Sequence, residues 1–331
     1  MSVNKKIIET EAAVADTANF DVLLYTGDRP TNAPKTGVGF KPDLIWIKGR
    51  NQTDFWSVLD STRGANVVSC DATQTESSFS GFTFDTDGFT VLSSGQANSN
   101  GEPYVSYHWR ANGGTTSSNT DGSITSTIQA SNASGFSIVT WTGNSSNASI
   151  GHGLSSAPEM IIAKSRTVAQ NWAVYHKDAG NTYWLQLNST TARLDEAIWQ
   201  DTTPSSSVFY VNGNVVINSG NSVAYCFHSV SGFSKFGSYS GTSSSGNSIN
   251  VGFAPNWVLI KGITAGSAWV LHDTVRSDGT KHLRPNSNSG EDSGANEQIN
   301  FTSTGFSIKN SGATQINTSG HTYIYAAFKL T

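Results

Sequence analysis

One segment runs through this chain three times. Gly39-Phe-Lys-Pro-Asp-Leu-Ile-Trp-Ile-Lys48 returns as Ser156-Ala-Pro-Glu-Met-Ile-Ile-Ala-Lys164 and again as Gly252-Phe-Ala-Pro-Asn-Trp-Val-Leu-Ile-Lys261. The shared pattern is a proline, one variable residue, four mostly apolar residues and a lysine. The proline, the lysine and a following tryptophan (Trp56, Trp172, Trp269) all keep offsets of 116 and then 97 residues, so whole units recur and not merely a short motif. Repetition on this scale fixes the fold more than any local signal does, because each copy must close around the same apolar positions.

Further landmarks bound the units. Tyr25-Thr-Gly27, Trp141-Thr-Gly143 and Tyr239-Ser-Gly241 open them, and Tyr-bearing apolar runs ending at Trp109, Phe227 and Phe328 close them. The chain therefore reads as an N-terminal arm (1–19), a first repeat (20–112), a linker with an edge strand (113–135), a second repeat (136–230) and a third (231–331). The linker begins as a polar, flexible stretch and continues with Ile among β-prone Thr. Its length sets unit one apart, whereas the short junction near Ser231 couples units two and three.

Inside a unit the periodicity is that of strands. Leu44-Ile-Trp-Ile47 is a continuous apolar run before a polar turn. Val208 to Ile217 reads as a hairpin around Asn212-Gly213, matched by hairpins at Gly88 and Gly305. No amphipathic helix stands out beyond residue 20. The expected fold is all-β, with three tandem antiparallel β-sandwich-like repeats behind a short arm. Propeller blades are about half as long as these units.

Composition narrows the function. Charged residues make up 13% of the chain, well below the average of roughly 25% for soluble domains. The net charge of -4 gives no electrostatic footprint for nucleic acid. No apolar run approaches the ~18 residues of a membrane span, so membrane insertion is not expected, and the first residues lack the apolar stretch of an export signal. Cys70 and Cys226 stand far apart without metal-site spacing and read as core residues. No cofactor is indicated.

Candidate chemistry is sparse. Asp60-Ser-Thr-Arg63 and Asp273-Thr-Val-Arg276 follow Trp56 and Trp269 at equal distance, while unit two has His176-Lys-Asp-Ala179 there. A carboxylate, a guanidinium and an indole face together suit a sugar, but the same trio also makes a salt-bridged loop beside a core tryptophan, and the structural reading is preferred. Trp184 and Trp199, in a variable stretch of unit two, are the candidates for exposed contact. Asp85-Thr-Asp87-Gly88 begins like a calcium loop but lacks the later bidentate acid, leaving an Asp-Gly hairpin. Asp195-Glu196 and Glu291-Asp292 read as solvated loop acids, and the seven scattered histidines form no nucleophile constellation. An enzyme is not expected.

The motifs at Gly39 to Arg50, Leu59 to Gly64, Asn119 to Ser126, Gly135 to Asn144, Ala224 to His228 and Phe233 to Tyr239 together resemble a repeat found in structural, tail-fibre-like virion proteins of marine tailed phages. The resemblance implies a place on a virion, as tail fibre, appendage or capsid decoration, with a part in host attachment. A carbohydrate-binding receptor adhesin and a glycan-degrading tailspike are the alternatives. Expected partners are other virion proteins through the arm, further copies of the chain, and a host surface glycan. Ile7, Ile8 and Val14 are the arm's attachment candidates, because a short mixture of charge and aliphatics cannot form a core alone.

Overall fold

The computed structural model describes residues 19–92 and 95–331. Unit one supplies β1 (Phe20–Thr26), β2 (Leu44–Gly49), β3 (Ser57–Asp60) and β4 (Pro103–Trp109). The connecting segment adds β5 (Ser126–Ser131). Unit two follows with β6 (Phe136–Asn144), β7 (Met160–Ser165), β8 (Ala173–His176) and β9 (Ser219–Phe227). Unit three has β10 (Ser234–Ser240), β11 (Trp257–Gly262), β12 (Trp269–Asp273) and β13 (Thr322–Phe328). Each unit arranges its four strands in the spatial order first, fourth, second, third, and all these pairs are antiparallel. A smaller sheet covers one face of each: 35–36, 82–85 and 88–91 in unit one, 148–151 and 208–211 in unit two, 248–250, 299–302 and 305–308 in unit three. The fold is all-β.

The other face of every main sheet packs against the other two units. In β2, Ile45 and Ile47 lie in the unit's own core with Phe82 and Phe89, whereas Leu44 and Trp46 enter a core shared by all three units. Burial on both faces is why the run is continuously apolar instead of alternating. Trp109, Phe227 and Phe328, equivalent by register, meet in a near-equilateral triangle with ring centroids 6.4, 5.9 and 5.9 Å apart. The molecule is thus three lobes about one pseudo-threefold axis. This corrects the expectation of a separate unit one on a flexible tether: the length and polarity of a linker do not report whether the faces it joins are apolar. The linker itself is structured, since residues 117–119 pair with β5 and β5 pairs with β6.

A second expectation fails at Asn212-Gly213. Val208–Val211 pairs with Ala148–Gly151 across the small sheet, and Asn214 caps a helical turn (Val215–Asn218) that buries Val216 and Ile217. An Asn-Gly step makes a hairpin only where its flanking strands pair with each other. The equivalent of Phe89 and Phe306 is therefore Phe209, and Gly213 does not match Gly88 and Gly305, which do open equivalent strands. Close approach explains the glycine of the opening landmark: a Cβ on Gly27, Gly143 or Gly241 would lie 2.0, 2.4 or 2.1 Å from the backbone of Ser99, Asn218 or Thr318.

All three repeat lysines are buried; Lys48 Nζ donates to Gly49 and Gln52 of its own unit, while the other two reach across a lobe boundary. Lys164 Nζ donates to the carbonyls of Gln170 and, in unit one, Thr73; Lys261 Nζ donates to Ser267 and, in unit two, Ser189. Burial lowers Lys164 to about 8 and Lys261 to about 7. Between pH 7 and 9 the unfolded chain therefore holds the Lys261 proton that the folded chain has lost, and stability rises with pH. Replacing Lys261 with Met is expected to remove about 2 kcal/mol of that rise, read from denaturant unfolding at the two pH values. An unchanged slope would place the Lys261 titration elsewhere.

Candidate functional site

The residues that the sequence marks beside Trp56 and Trp269 all lie at seams between lobes. The three repeat tryptophans donate Nε1–H around the ring: Trp56 to Arg284 and Ser287 of unit three, Trp172 to Ser69 of unit one, Trp269 to Gln186 of unit two. At the seam between units one and two, Arg63 donates through Nε to Asp60 Oδ2 at 2.5 Å and through Nη1 to Glu76 at 2.7 Å. Tyr225 of unit two donates to the same Asp60 oxygen at 2.8 Å, and Arg166 grips Glu76 at 2.8 and 2.9 Å. The seam between units three and one repeats this. Arg276 pairs with Asp273, Tyr107 donates to Asp273 at 2.9 Å, and Arg50 holds Glu291 at 2.5 and 3.2 Å.

These groups are enclosed between the lobes. The Asp60, Arg63, Asp273 and Arg276 side chains are wholly buried. Burial opposes the charge on Arg63, but Asp60 and its neighbours outweigh it and raise the guanidinium above its usual range. At Glu76 burial is likewise outweighed, by Arg166 and Arg63, and the carboxyl is held below the usual range. Hydrogen bonds and close ion pairs offset much of the desolvation cost, although Arg276 Nη1 has only the Glu291 carboxylate at 3.5 Å and no hydrogen bond, and the arrangement ties lobes together. Glu291 belongs to this seam, correcting its reading as a solvated loop acid.

The third seam, between units two and three, is built without these ions. His176 stands where Asp60 and Asp273 do, Ala179 replaces the arginine, and Ala326 replaces the tyrosine. His176 Nε2 lies 3.3 Å from the Tyr325 carbonyl. The backbone link joining Glu76 to Arg166 and Glu291 to Arg50 survives as Arg193 N to Ile263 O, with the ion pair gone. Arg193 instead stacks 4.1 Å over Tyr183 and donates to Ala179 O.

Trp184 and Trp199 are buried in the core of unit two, not exposed, because the stretch from Tyr183 to Trp199 folds over the main sheet. Asp85 accepts from Thr83 and Thr90, and Asp87 from the amides of Gly37 and Gly39, so both acids serve the hairpin. Among the described residues no group of three His, Cys, Asp or Glu is placed to hold a metal ion. Ile7, Ile8 and Val14 lie outside the described residues. Sequence reading missed Tyr107, Tyr225, Glu76, Arg166 and Arg50. On the surface, a shallow polar groove on unit two is lined by Thr125, Thr127, Thr140, Thr142, Arg166 and Asn221.

The strand ends divide the molecule. Asn19, Thr331 and the connections between units gather around the aromatic triangle, where Phe20 packs on Trp109, Trp257 and Phe328. The opposite ends of the same strands carry the turns at Gly27, Gly143 and Gly241. This geometry defines a class: a single-chain, pseudo-threefold β-protein whose charged seams are internal and whose loops face away from its chain ends. The chain belongs to the family described as a domain of unknown function, DUF7483, whose model matches residues 15–330. No curated protein and no solved structure matches it.

Proposed function

We propose that the chain is a structural protein of a tailed-phage virion, a tail appendage or capsid surface decoration that is held by its N-terminal arm and helps the particle adhere to its host. It is not an enzyme in this reading. The observation that carries it is the polarity of the fold: Asn19 and Phe20, to which the arm is joined, lie at the axis beside Thr331, while polar turns from all three lobes stand at the other ends of the strands. The candidate residues with chemical reach are spent on seams, which suits a rigid body more than a catalyst. Deleting residues 1–18 is expected to leave the far-ultraviolet circular dichroism of the chain unchanged and to abolish incorporation into particles. Normal incorporation of the truncated chain would overturn the reading. A second reading, a carbohydrate-binding adhesin, is favoured by the threonine-lined groove of unit two, whose hydroxyls and Asn221 amide match a sugar's hydrogen-bonding groups. Loss of glycan binding in Thr127→Arg and Thr142→Arg variants would support it.

A further inference from the structure

The three opening strands are equivalent in register, yet their outer edges differ. The edge of β6 is covered by β5. Among the described residues no strand lies outside β1 or β10. The three sequences track this difference in two cases out of three. Covered β6 carries Val139 and Trp141 buried in the core of unit two, with Thr140 between them. Bare β10 carries Lys235, Gly237 and Ser238, the kind of residues that protect an open edge. At the positions of Lys235, Gly237 and Ser238, β1 has Asp21, Leu23 and Leu24, the two leucines half-buried, while half-buried Tyr25 matches the equally half-buried Tyr239. Strand β1 thus keeps a charge at the position of Lys235 but sets two leucines on an edge that, among the described residues, no strand covers.

In unit two the cover comes from the chain just before β6, which returns through residues 132–135 so that Ser131 pairs with Phe136. The matching place before β1 is taken. Thr331 Oγ1 accepts from the Asn19 amide at 2.7 Å and the Phe20 amide at 3.3 Å, and Thr331 N donates to Phe20 O at 3.3 Å. A tight return of the chain's own arm onto β1 is closed at its root. Beyond Phe20, the alternation of the ladder turns the backbone groups of Val22, Leu24 and Thr26 away from β4.

We propose that the free edge of β1, from Val22 to Thr26, accepts the N-terminal arm of a second copy of this chain, which adds to it as β5 adds to β6. The arm has 18 residues before Asn19, ample for a strand of five and a crossing, and it holds the β-branched Ile7, Ile8 and Thr10 within one stretch of that length, with Val14 between it and Asn19. Exchange of an identical element between copies is a low-cost route to association. The inference rests on the arm's proposed role in assembly and gives it a docking place.

Light scattering on the purified full chain, the chain lacking residues 1–18, and the Leu24→Pro and Leu24→Lys variants tests this. The full chain is expected at twice the monomer mass or more, and the other three at monomer mass with unchanged far-ultraviolet circular dichroism. A synthetic peptide of residues 1–18 should bind the truncated chain and not its Leu24→Lys form. Should Leu24→Pro perturb folding, Leu24→Lys decides. A monomeric full chain, or association that survives loss of the arm, would overturn the proposal. So would a monomer whose Val22 to Thr26 amides exchange slowly only when the arm is present, because the chain's own arm would then be the occupant. Particle incorporation plays no part in these readouts, so the docking site and the virion reading fail separately.

Discussion

Acidification from pH 7.5 to 5 is expected to bring the protein to the edge of unfolding. Five histidines are wholly buried: His108, His152, His176, His272 and His282. Burial is the main cause that lowers each of them, His108 to about 3, His152, His176 and His282 to about 4, and His272 well below its ordinary value. As pH falls through 6.5 the unfolded chain takes up protons that the folded chain refuses, so stability declines until the folded values are reached. His108, His152, His176 and His282 each cost about 2 kcal/mol at pH 5, or roughly 8 for the four, and His272 acts in the same direction. Asp21 and Asp71 work the other way: burial raises both to about 6, so the folded chain gains protons first. Their gain is about 3 kcal/mol at pH 5, leaving a net loss of about 5 before His272 is added, against a typical total stability of about 5–15. Chemical denaturation at half-unit pH steps would measure it. A midpoint that stays flat between pH 7.5 and 5 would show that these histidines take up protons in the folded protein.

The second large effect is expected at a seam. Replacing Asp60 with Ala leaves the Arg63 guanidinium buried beside a single carboxylate, Glu76, that Arg166 also claims, and removes the acceptor of Tyr225. Breaking a buried pair from one side costs about 3–5 kcal/mol. The molecule carries its own control, because units two and three meet with His, Ala and Ala at the places of Asp, Arg and Tyr. Transferring that set, as Asp60→His with Arg63→Ala and Tyr225→Ala, strands no charge and is expected to cost less than Asp60→Ala alone. The opposite order in urea midpoints would mean that packing, and not charge pairing, governs the seam.

Much of the unit was legible in the sequence because strand periodicity and landmark spacing are local properties. Leu44 to Ile47 announced a strand buried on both faces. What lay against its second face was not announced, since a shared core is a relation between distant segments. The Asp-x-x-Arg steps were visible in units one and three, and the tyrosines Tyr107 and Tyr225 in units one and two. Their partnership is displaced by one unit: Tyr225 serves Asp60, and Tyr107 serves Asp273. Reading each unit by itself could not pair them, whereas the shared loss of Asp at His176 and Tyr at Ala326 was a signal available in the residues. Trp184 and Trp199 misled because a stretch that varies between repeats was taken for surface, while it folds into a core of its own. Asn212-Gly213 misled because a turn dipeptide does not name its strand partners.

The three seams share one geometry and one of them differs in chemistry, and that has a bearing on inheritance. In a ring of three identical subunits every substitution is made three times at once, so a change that suits one contact is imposed on all. Covalent linkage lifts that constraint. Arg166 with Glu76, Arg50 with Glu291, and Ile263 with Arg193 show contacts that have gone separate ways within one molecule. The same freedom extends to the turns at Gly27, Gly143 and Gly241, which a single gene can vary one at a time while the aromatic triangle beneath them keeps the lobes in register.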